Sequence, residues 1–405
     1  MAERKITAGI VWVEEGAFII DVKFSLRLGF CPLSEAGRRL SFALLCGVLS
    51  LVCTCGPAFG RGPVKTFKVG IANRSFISNG SYDWRAAQTH ALRVTIWYPA
   101  SVSAVEQLQT LGPPEAPLFM AGRAAPDAKF PDLPSRFPLV LLSHGTGGSA
   151  MQLAWLGTYL AARGVIAAAV NHPGNNALES YTLEGFMLWW LRARDLSVVL
   201  DHLLADPIFG PRIEKSRVGA AGFSLGGYTM IELAGGVTNP QAVLDYCDSP
   251  RSHGTCNIHE FPDLAAKARQ RLKTDSGFAA AFARGDESYR DSRIRAVFAI
   301  APALGVAFSS EALASISIPV EIVAGGADPI APPPDNAEYF AHHVPHARIT
   351  ILPGGVAHYT FLDDCGPAGK KNLAVYCADA RGVDRQRVHA EVAAMAVRFF
   401  DATLR

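Results

Sequence analysis

The segment Arg217–Gly227, which reads RVGAAGFSLGG, decides the fold. Its first half is apolar and typical of a buried strand, and a helical pattern follows the final glycines. A serine between such a strand and helix lies on a sharp turn, which the neighbouring glycines permit because they have no Cβ to collide with adjacent elements. The turn would lift the hydroxyl of Ser224 above the sheet at the positive end of the helix, so Ser224 is the candidate nucleophile.

A nucleophilic serine needs a base and an acid that orients the base. Two later segments supply them. The apolar run at residues 318–324 ends in a glycine turn that carries Asp328, and the strand pattern at 348–353 leads to a loop that presents His358. Because ligands bind beyond the carboxyl ends of parallel strands, these loops are expected to meet at one edge of the sheet. We therefore predict Asp328 as the acid and His358 as the base.

The donors for a developing oxyanion are predicted from a third strand-to-loop transition. The strand pattern at residues 138–143 leads into the sequence His-Gly-Thr-Gly-Gly at 144–148. Glycines let the main chain approach a reacting carbonyl closely. We assign the oxyanion hole to the backbone amides of Thr146 and Leu225, and removal of one such donor typically lowers turnover by about 10²–10³-fold. His144 is expected to brace the loop by hydrogen bonds rather than to transfer protons.

Several residues are candidates for contact with the substrate. Aromatic and aliphatic residues near the predicted edge are candidates for the acyl or alcohol pocket, although aromatic residues in apolar helices more often belong to the core. The substrate-binding candidates are Phe223, Trp155, Tyr359 and Ile330. Arg192 and Asp195, in one helical pattern, are expected to form a structural pair.

No metal or cofactor is expected. The histidines at 342, 343 and 346 follow a helical pattern without a carboxylate or cysteine at the spacing of a zinc site, so a solvated helix end is the better interpretation. His389 lies in another helical pattern and is expected to be a packing or surface residue. The sequence contains no glycine-rich phosphate loop and no dinucleotide fingerprint.

Alternating apolar patterns predict an α/β fold with a mostly parallel eight-stranded sheet and helices on both faces. A long segment at about 237–293 has helix patterns of its own and is predicted to be a cap insertion. The proline-rich stretch from Pro113 to Pro138 is predicted to be a surface connection. The predicted strands lie near 65–72, 91–98, 138–143, 164–170, 217–222, 294–301, 319–325 and 347–353, and the helices near 150–163, 187–204, 226–235, 335–344 and 386–402.

Composition fits one large catalytic domain at 61–405 after an N-terminal extension at 1–60. With 49% hydrophobic and 18% charged residues, the chain can bury a sizeable core. The formal net charge of the 405 residues is +2, which gives no electrostatic basis for binding nucleic acid.

The extension carries an export pattern at about residues 38–60. Two arginines at 38 and 39 precede an apolar run at 40–53, and small residues follow at 56–60. The run is shorter than the ~20 residues that a spanning helix prefers, so we predict a secreted or periplasmic protein with no permanent membrane span after signal removal. Lipidation at Cys53 or Cys55 is an alternative.

The cysteines support export. Four of the eight precede residue 60, which leaves Cys247, Cys256, Cys365 and Cys377. They form two local pairs, and we predict the disulfides Cys247–Cys256 and Cys365–Cys377 in an oxidising compartment. In a reducing cytosol the same residues would be buried thiols. The spacing is not that of a zinc site.

Four motifs in chain order resemble the platelet-activating-factor acetylhydrolase and dienelactone-hydrolase-like branch of the α/β-hydrolases. The resemblance covers most of residues 65–400 and implies an α/β-hydrolase fold. Dienelactone hydrolases have a cysteine nucleophile where this chain has Ser224, so their lactone chemistry is not carried over. The segments that carry the resemblance are Leu141–His172, Gly222–Tyr228, Gly325–Pro332 and Gly355–Asp364.

The sequence therefore predicts a serine hydrolase that cleaves carboxylic esters, short-chain lipid or other small esters, through an acyl-enzyme intermediate. Three alternatives remain. A polyester (cutinase-like) hydrolase shares the same motifs. A serine peptidase on this fold would need a large additional domain, and no propeller-like repeat precedes residue 65. A non-catalytic binding relative would normally lack one member of the triad.

Overall fold

The computed structural model describes residues 66–78, 82–250, 252, 256 and 258–405. These residues belong to one compact unit that extends to the end of the chain. The predicted export signal, at about residues 38–60, lies outside the described residues.

The described residues form an eleven-stranded sheet. Its strands are β1 (Lys68–Phe76), β2 (Leu92–Ala100), β3 (Gln107–Leu111), β4 (Phe119–Pro126), β5 (Phe137–Ser143), β6 (Ile166–Val170), β7 (Ile213–Phe223), β8 (Ile294–Ile300), β9 (Val320–Gly325), β10 (Arg348–Leu352) and β11 (Asp364–Cys365). The spatial order is β10-β9-β8-β7-β5-β6-β2-β1-β4-β11, and β3 pairs with β4.

The sheet is parallel from β10 to β6 and mixed beyond it. Strand β2 runs antiparallel to both β6 and β1. In the parallel part, strand β5 is buried on both faces, and its side chains alternate between two hydrophobic cores. Leu139 and Leu141 belong to one core, and Val140 and Leu142 belong to the other. This apolar run is what a parallel strand covered by helices on both sides requires.

Helices cover both faces of the sheet. They are α1 (Ala154–Ala161), α2 (Leu183–Met187), α3 (Leu191–Ala205), α4 (Leu225–Ala234), α5 (Pro240–Cys247), α6 (Leu264–Thr274), α7 (Ser276–Ala283), α8 (Ser310–Ala314), α9 (Ala337–His343), α10 (Pro367–Asn372), α11 (Ala374–Cys377) and α12 (Arg385–Thr403). Helix α4 ends at Gly235, whose φ of +116° is the left-handed conformation that glycine adopts at helix ends. Helices α5 to α7 occupy the segment predicted as a cap.

The fold class is confirmed, and each of the eight predicted strands is present. Three strands, β3, β4 and β11, were not predicted, so the predicted count of eight was too low. The prediction of a surface connection from Pro113 to Pro138 was wrong because β4 lies within it. Strand β4 pairs with β1, β3 and β11, and the small side chains of Ala121 and Ala124 are buried in its interior face.

No helix within the described ranges combines the length and the apolar character needed to cross a bilayer.

Candidate active site

Ser224 lies on the turn between β7 and α4 with φ +57° and ψ −116°. Non-glycine residues rarely adopt positive φ, and such strain persists only where the surroundings impose it. Here they do. A Cβ at Gly222 would lie 2.2 Å from the carbonyl oxygen of Gly226, and one at Gly226 would lie 1.9 Å from that of Ser143. Both glycines are therefore needed for the close approach that places Ser224.

The three predicted triad residues are hydrogen-bonded to one another. Ser224 Oγ lies 2.9 Å from His358 Nε2, and His358 Nδ1 lies 2.6 Å from Asp328 Oδ2. The strands β7, β9 and β10 carry these residues on the loops that follow their carboxyl ends. All three residues are buried, with exposed fractions of 7% for Ser224, 4% for Asp328 and 3% for His358.

The second oxygen of Asp328 fixes the carboxylate in place. Oδ1 accepts hydrogen bonds from the amides of Ile330 and Ala331, each at 2.9 Å. With Oδ2 accepting from His358 Nδ1, the imidazole keeps its proton on Nδ1, and Nε2 is left to accept the Ser224 hydroxyl proton. Asp363, the other carboxylate near this loop, instead accepts from the Trp155 amide at 3.2 Å.

The loop after β5 presents a free amide at Thr146. Its neighbours are engaged, because the Gly145 amide donates to Gln152 Oε1 at 2.7 Å and the Gly147 amide donates to Asn175 Oδ1 at 2.8 Å. Leu225 is the first residue of α4, where amides have no partner within the helix. Neither the Thr146 nor the Leu225 amide donates to a described residue.

The same loop packs against the nucleophile. A Cβ at Gly145 would lie 3.3 Å from Ser224 Cβ and 3.1 Å from the Phe223 ring. The loop backbone therefore lies so close to Ser224 that a side chain at position 145 would press against Ser224 and Phe223. This is the arrangement that the glycines of residues 144–148 predict.

Three of the four predicted substrate-binding residues lie beside the triad. The Phe223 and Tyr359 rings lie 4.8 and 5.5 Å from the His358 ring, measured between centroids. Ile330 donates its amide to Asp328 and is half-buried. Burial, Glu260 and Asp328 together raise the pKa of Tyr359 to about 12, so its phenol is neutral at physiological pH.

Trp155 is held differently. Its indole Nε1 donates to the carbonyl oxygen of Phe361 at 2.9 Å, and its ring stacks on His389 with centroids 4.5 Å apart. His389 belongs to α12, so these contacts tie Trp155 to the C-terminal helix.

Three site residues were not predicted. Tyr181 donates its hydroxyl to the carbonyl oxygen of Gly147 at 2.9 Å, and Tyr376 donates to Glu260 Oε1 at 3.2 Å. Glu260 lies in the segment between α5 and α6. Through its contact with Tyr376, this segment packs against the chain that follows His358, next to the loop at 144–148. No local pattern in the sequence indicates these contacts, since the partners are 34 and 116 positions apart.

Both predicted cystine pairings are present. Cys247 is bonded to Cys256 and Cys365 to Cys377, with sequence separations of 9 and 12. The second bridge ties β11 to α11 and closes the segment that carries Tyr376.

The predicted pair of Arg192 and Asp195 is wrong. In the described part of the chain Asp195 forms an ion pair with Arg85 at 2.7 Å and accepts a hydrogen bond from His172 Nδ1 at 2.7 Å. Arg192 donates to the carbonyl oxygen of His144 instead. As expected, His144 braces the loop: its Nδ1 donates to the carbonyl oxygen of Gly145 at 2.6 Å, and its Nε2 accepts from the His172 amide at 3.2 Å.

The strand order, with the candidate site at the carboxyl ends of the parallel strands, is that of the α/β-hydrolase fold, and the protein has this fold. A solved structure of ferulic acid esterase from Streptomyces cinnamoneus superimposes on it with a TM-score of 0.58 and 21% identity, over 85% of this chain and 92% of that chain. At this identity the comparison establishes the fold.

One family profile matches the segment around the loop at 144–148. The sequence profile of the family "Platelet-activating factor acetylhydrolase, isoform II" matches residues 123–187, which supports the resemblance predicted from the sequence. The mesoderm-specific transcript protein of Mus musculus is 40% identical over 53 residues, and its homolog from Bos taurus is 38% identical over 53 residues. The matched segment is 13% of this chain and 16% of each of these two proteins.

Proposed function

We propose that this protein is a serine hydrolase that cleaves carboxylic esters through an acyl-enzyme intermediate. The hydrogen-bonded chain from Ser224 Oγ through His358 to Asp328, on a strained turn at the sheet edge, is the observation that carries the proposal. The match of residues 123–187 to a family named for an acetylhydrolase adds support for an ester substrate.

In the first step Ser224 Oγ attacks the carbonyl carbon of the ester and His358 Nε2 takes the hydroxyl proton. The carbonyl π electrons move to oxygen, which becomes an oxyanion in the tetrahedral intermediate. Asp328 stabilises the imidazolium through the 2.6 Å hydrogen bond to Nδ1.

The Thr146 and Leu225 amides would stabilise the oxyanion. Both N–H groups lie on backbone held close to Ser224, and both lack an acceptor among the described residues. Donors that are already in place need no rearrangement when the charge develops, which is why they favour the transition state over the ground state.

In the second step the tetrahedral intermediate collapses, the carbon–oxygen bond to the alcohol breaks, and His358 gives its proton to the leaving oxygen. The acyl group stays on Ser224 Oγ. A water molecule then attacks the acyl carbon while His358 takes its proton, and a second collapse releases the acid and returns the proton to Ser224.

The aromatic rings around His358 support small or short-chain esters as substrates. Phe223 and Tyr359 pack against the base itself, and half-buried Tyr359 would contact an acyl or alcohol group bound next to Ser224, whereas Phe223, 2% exposed, supports His358 from the core. Ile330, next to the acid, would complete this wall. We include the segment at 237–293 as a cap, because Glu260 from this segment meets Tyr376 beside the site.

We further propose that the protein acts outside the cytosol. The two disulfides support this proposal, since such bonds form and persist in oxidising compartments. The catalytic domain would then be residues 61–405, released from the export signal at about residues 38–60.

A panel of p-nitrophenyl esters with two to sixteen acyl carbons tests the proposal, with methyl ferulate, a polyester film and a peptide amide as further arms. We expect the highest kcat/KM at short chain length and slow or no peptide cleavage. Preference for the polyester film would replace the substrate assignment, and failure to cleave any ester would refute the function.

A further inference from the structure

A second hydrogen-bonded Ser–His–Asp chain lies behind the loop at 144–148. Ser143 Oγ is 2.9 Å from His172 Nε2, and His172 Nδ1 is 2.7 Å from Asp195 Oδ2. All three residues have an exposed fraction of 0%. Since no substrate can reach Ser143, this chain is not a second nucleophilic site, and its function must be sought in what it contacts.

Arg192, on α3, connects this buried chain to the loop. Its guanidinium donates to the carbonyl oxygen of His144 and lies 3.4 Å from both Ser143 Oγ and Asn175 Oδ1. The same Asn175 oxygen accepts the Gly147 amide at 2.8 Å. Arg192 therefore contacts the backbone directly on one side of Thr146 and through Asn175 on the other.

The cluster around Arg192 carries an excess positive charge. Arg85 and Arg192 are 2% and 1% exposed, and the fully buried carboxylate near them among the described residues is Asp195, whose two oxygens accept from Arg85 Nη2 at 2.7 and 3.0 Å. Burial lowers the pKa of both His144 and His172 well below the usual value, and Arg192 lowers it further, so both imidazoles are neutral. Among the described residues, Arg192 has no carboxylate within ion-pair distance.

Burying a cation is costly, and although Asp195 attracts Arg192 electrostatically, the hydrogen-bond partners of its guanidinium are neutral oxygens. An anion that forms transiently nearby would benefit from it, because charges interact more strongly inside a protein than in water. In the proposed reaction such an anion accepts from the Thr146 amide, which lies between the two backbone positions that Arg192 contacts.

We propose that Arg192 is a positioning residue for the oxyanion: it fixes the backbone on both sides of Thr146, and its charge favours the tetrahedral intermediate over the bound ester. This inference rests on the proposed function. A residue that only stabilised the fold would affect substrate and transition state alike, whereas Arg192 acts on the transition state in particular.

The test compares Arg192→Met and Arg192→Lys with a control, Arg293→Met. Arg293 also anchors α3, because it donates to the carbonyl oxygen of Ser197 at 3.3 Å, and its other hydrogen-bond partners among the described residues are Asp201 and Asp291 rather than the loop at 144–148. For each variant we would measure Tm, kcat and KM for p-nitrophenyl butyrate, and the inhibition constant of butylboronic acid, which forms a tetrahedral anionic adduct on a catalytic serine.

We expect Arg192→Met to lower kcat by about 10–100-fold with little change in KM, and to weaken boronate binding by a similar factor. Arg192→Lys should recover part of both losses because it keeps the charge. Arg293→Met should keep kcat and the boronate constant within about 2-fold even if Tm falls. Unchanged kcat in Arg192→Met, or a lower kcat without weaker boronate binding, would overturn the inference.

Asn175→Asp covers the case in which Arg192→Met does not fold. The carboxylate keeps the acceptor for the Gly147 amide and pairs with Arg192, so it neutralises the charge while leaving the guanidinium in place. It also removes the donor that Asn175 Nδ2 supplies to the Gly185 carbonyl oxygen at 3.1 Å, and Tm measures the effect of that loss. We expect lower kcat and weaker boronate binding, and wild-type values would overturn the inference.

If wild-type turnover proves independent of Ser224, the proposed function fails; if it depends on Ser224 but not on Arg192, this inference alone fails.

Discussion

His358 Nε2 lies 2.9 Å from Ser224 Oγ, although the two residues are 134 positions apart in the chain. The contact exists because β7 and β10 end at the same edge of the sheet, separated by β8 and β9.

Asp328→Asn should lower kcat by about 10⁴-fold, because the amide preserves the shape of the loop but removes the charge that stabilises the imidazolium and sets its tautomer. Asp363→Asn is the matched control, since its contact is with the Trp155 amide at 3.2 Å. Steady-state kinetics of the two purified variants provide the measurement. A larger loss in Asp363→Asn would mean that the acid is wrongly assigned.

Thr146→Pro should lower kcat by about 10²–10³-fold, because proline has no N–H to offer the oxyanion. Thr146→Ala keeps the amide and should retain activity within a few-fold. Circular dichroism and Tm would establish that both variants fold. Equal activities in the two folded variants would remove the Thr146 amide from the oxyanion hole.

Replacing Cys365 and Cys377 together with serine should lower the free energy of unfolding by about 2–3 kcal/mol in the chain-entropy model. It should also lower kcat/KM more than replacing Cys247 and Cys256, because the 365–377 loop follows His358 and carries Tyr376, whose ring lies 4.9 Å from that of Tyr359. Denaturant titration and kinetics measure the two effects. Peptide mapping without reduction should recover both cystine peptides, and cross-paired or free thiols would refute the connectivity.

Stability should fall as the pH decreases from about 6.5 towards 4. Burial lowers the pKa of His389 to about 4 against an ordinary value of 6.5, so the unfolded chain takes up a proton in this range that the folded protein does not. His389→Gln keeps a donor for the Thr360 carbonyl oxygen, which His389 Nε2 contacts at 2.9 Å, and should reduce the pH dependence of Tm. Part of the dependence should remain, because burial also lowers the pKa of His144 and His172. The exposed His342, replaced by glutamine, is the control. Identical pH profiles for wild type and His389→Gln would contradict this assignment.

The closeness of Ser224, Asp328 and His358 in the structure could be predicted because their local patterns are strong. An apolar strand followed by a glycine turn identifies the carboxyl end of a parallel strand, and Ser224, Asp328 and His358 each follow such a pattern. The local cysteine pairs were predictable for a similar reason, since their separations are 9 and 12 residues.

The buried charge cluster and strand β4 could not be predicted because both depend on distant partners. Arg85 reaches Asp195 across 110 positions, so the helical spacing of Arg192 and Asp195 suggested a pair that tertiary contacts override. Strand β4 reads FMAGRAAP, a small-residue sequence with weak strand propensity, and it is a strand because β1, β3 and β11 supply its hydrogen bonds.

In the proposed mechanism Ser224 becomes acylated during turnover, and acid quenching of the enzyme while it hydrolyses p-nitrophenyl butyrate tests this step. Mass spectrometry of the digested protein should find a butyryl group on the peptide that contains Ser224. In Ser224→Ala the adduct should be absent and kcat lower by about 10⁴-fold or more, while Ser143→Ala should still carry the adduct on Ser224. Undiminished turnover in Ser224→Ala, or an acyl group on another residue, would contradict the account.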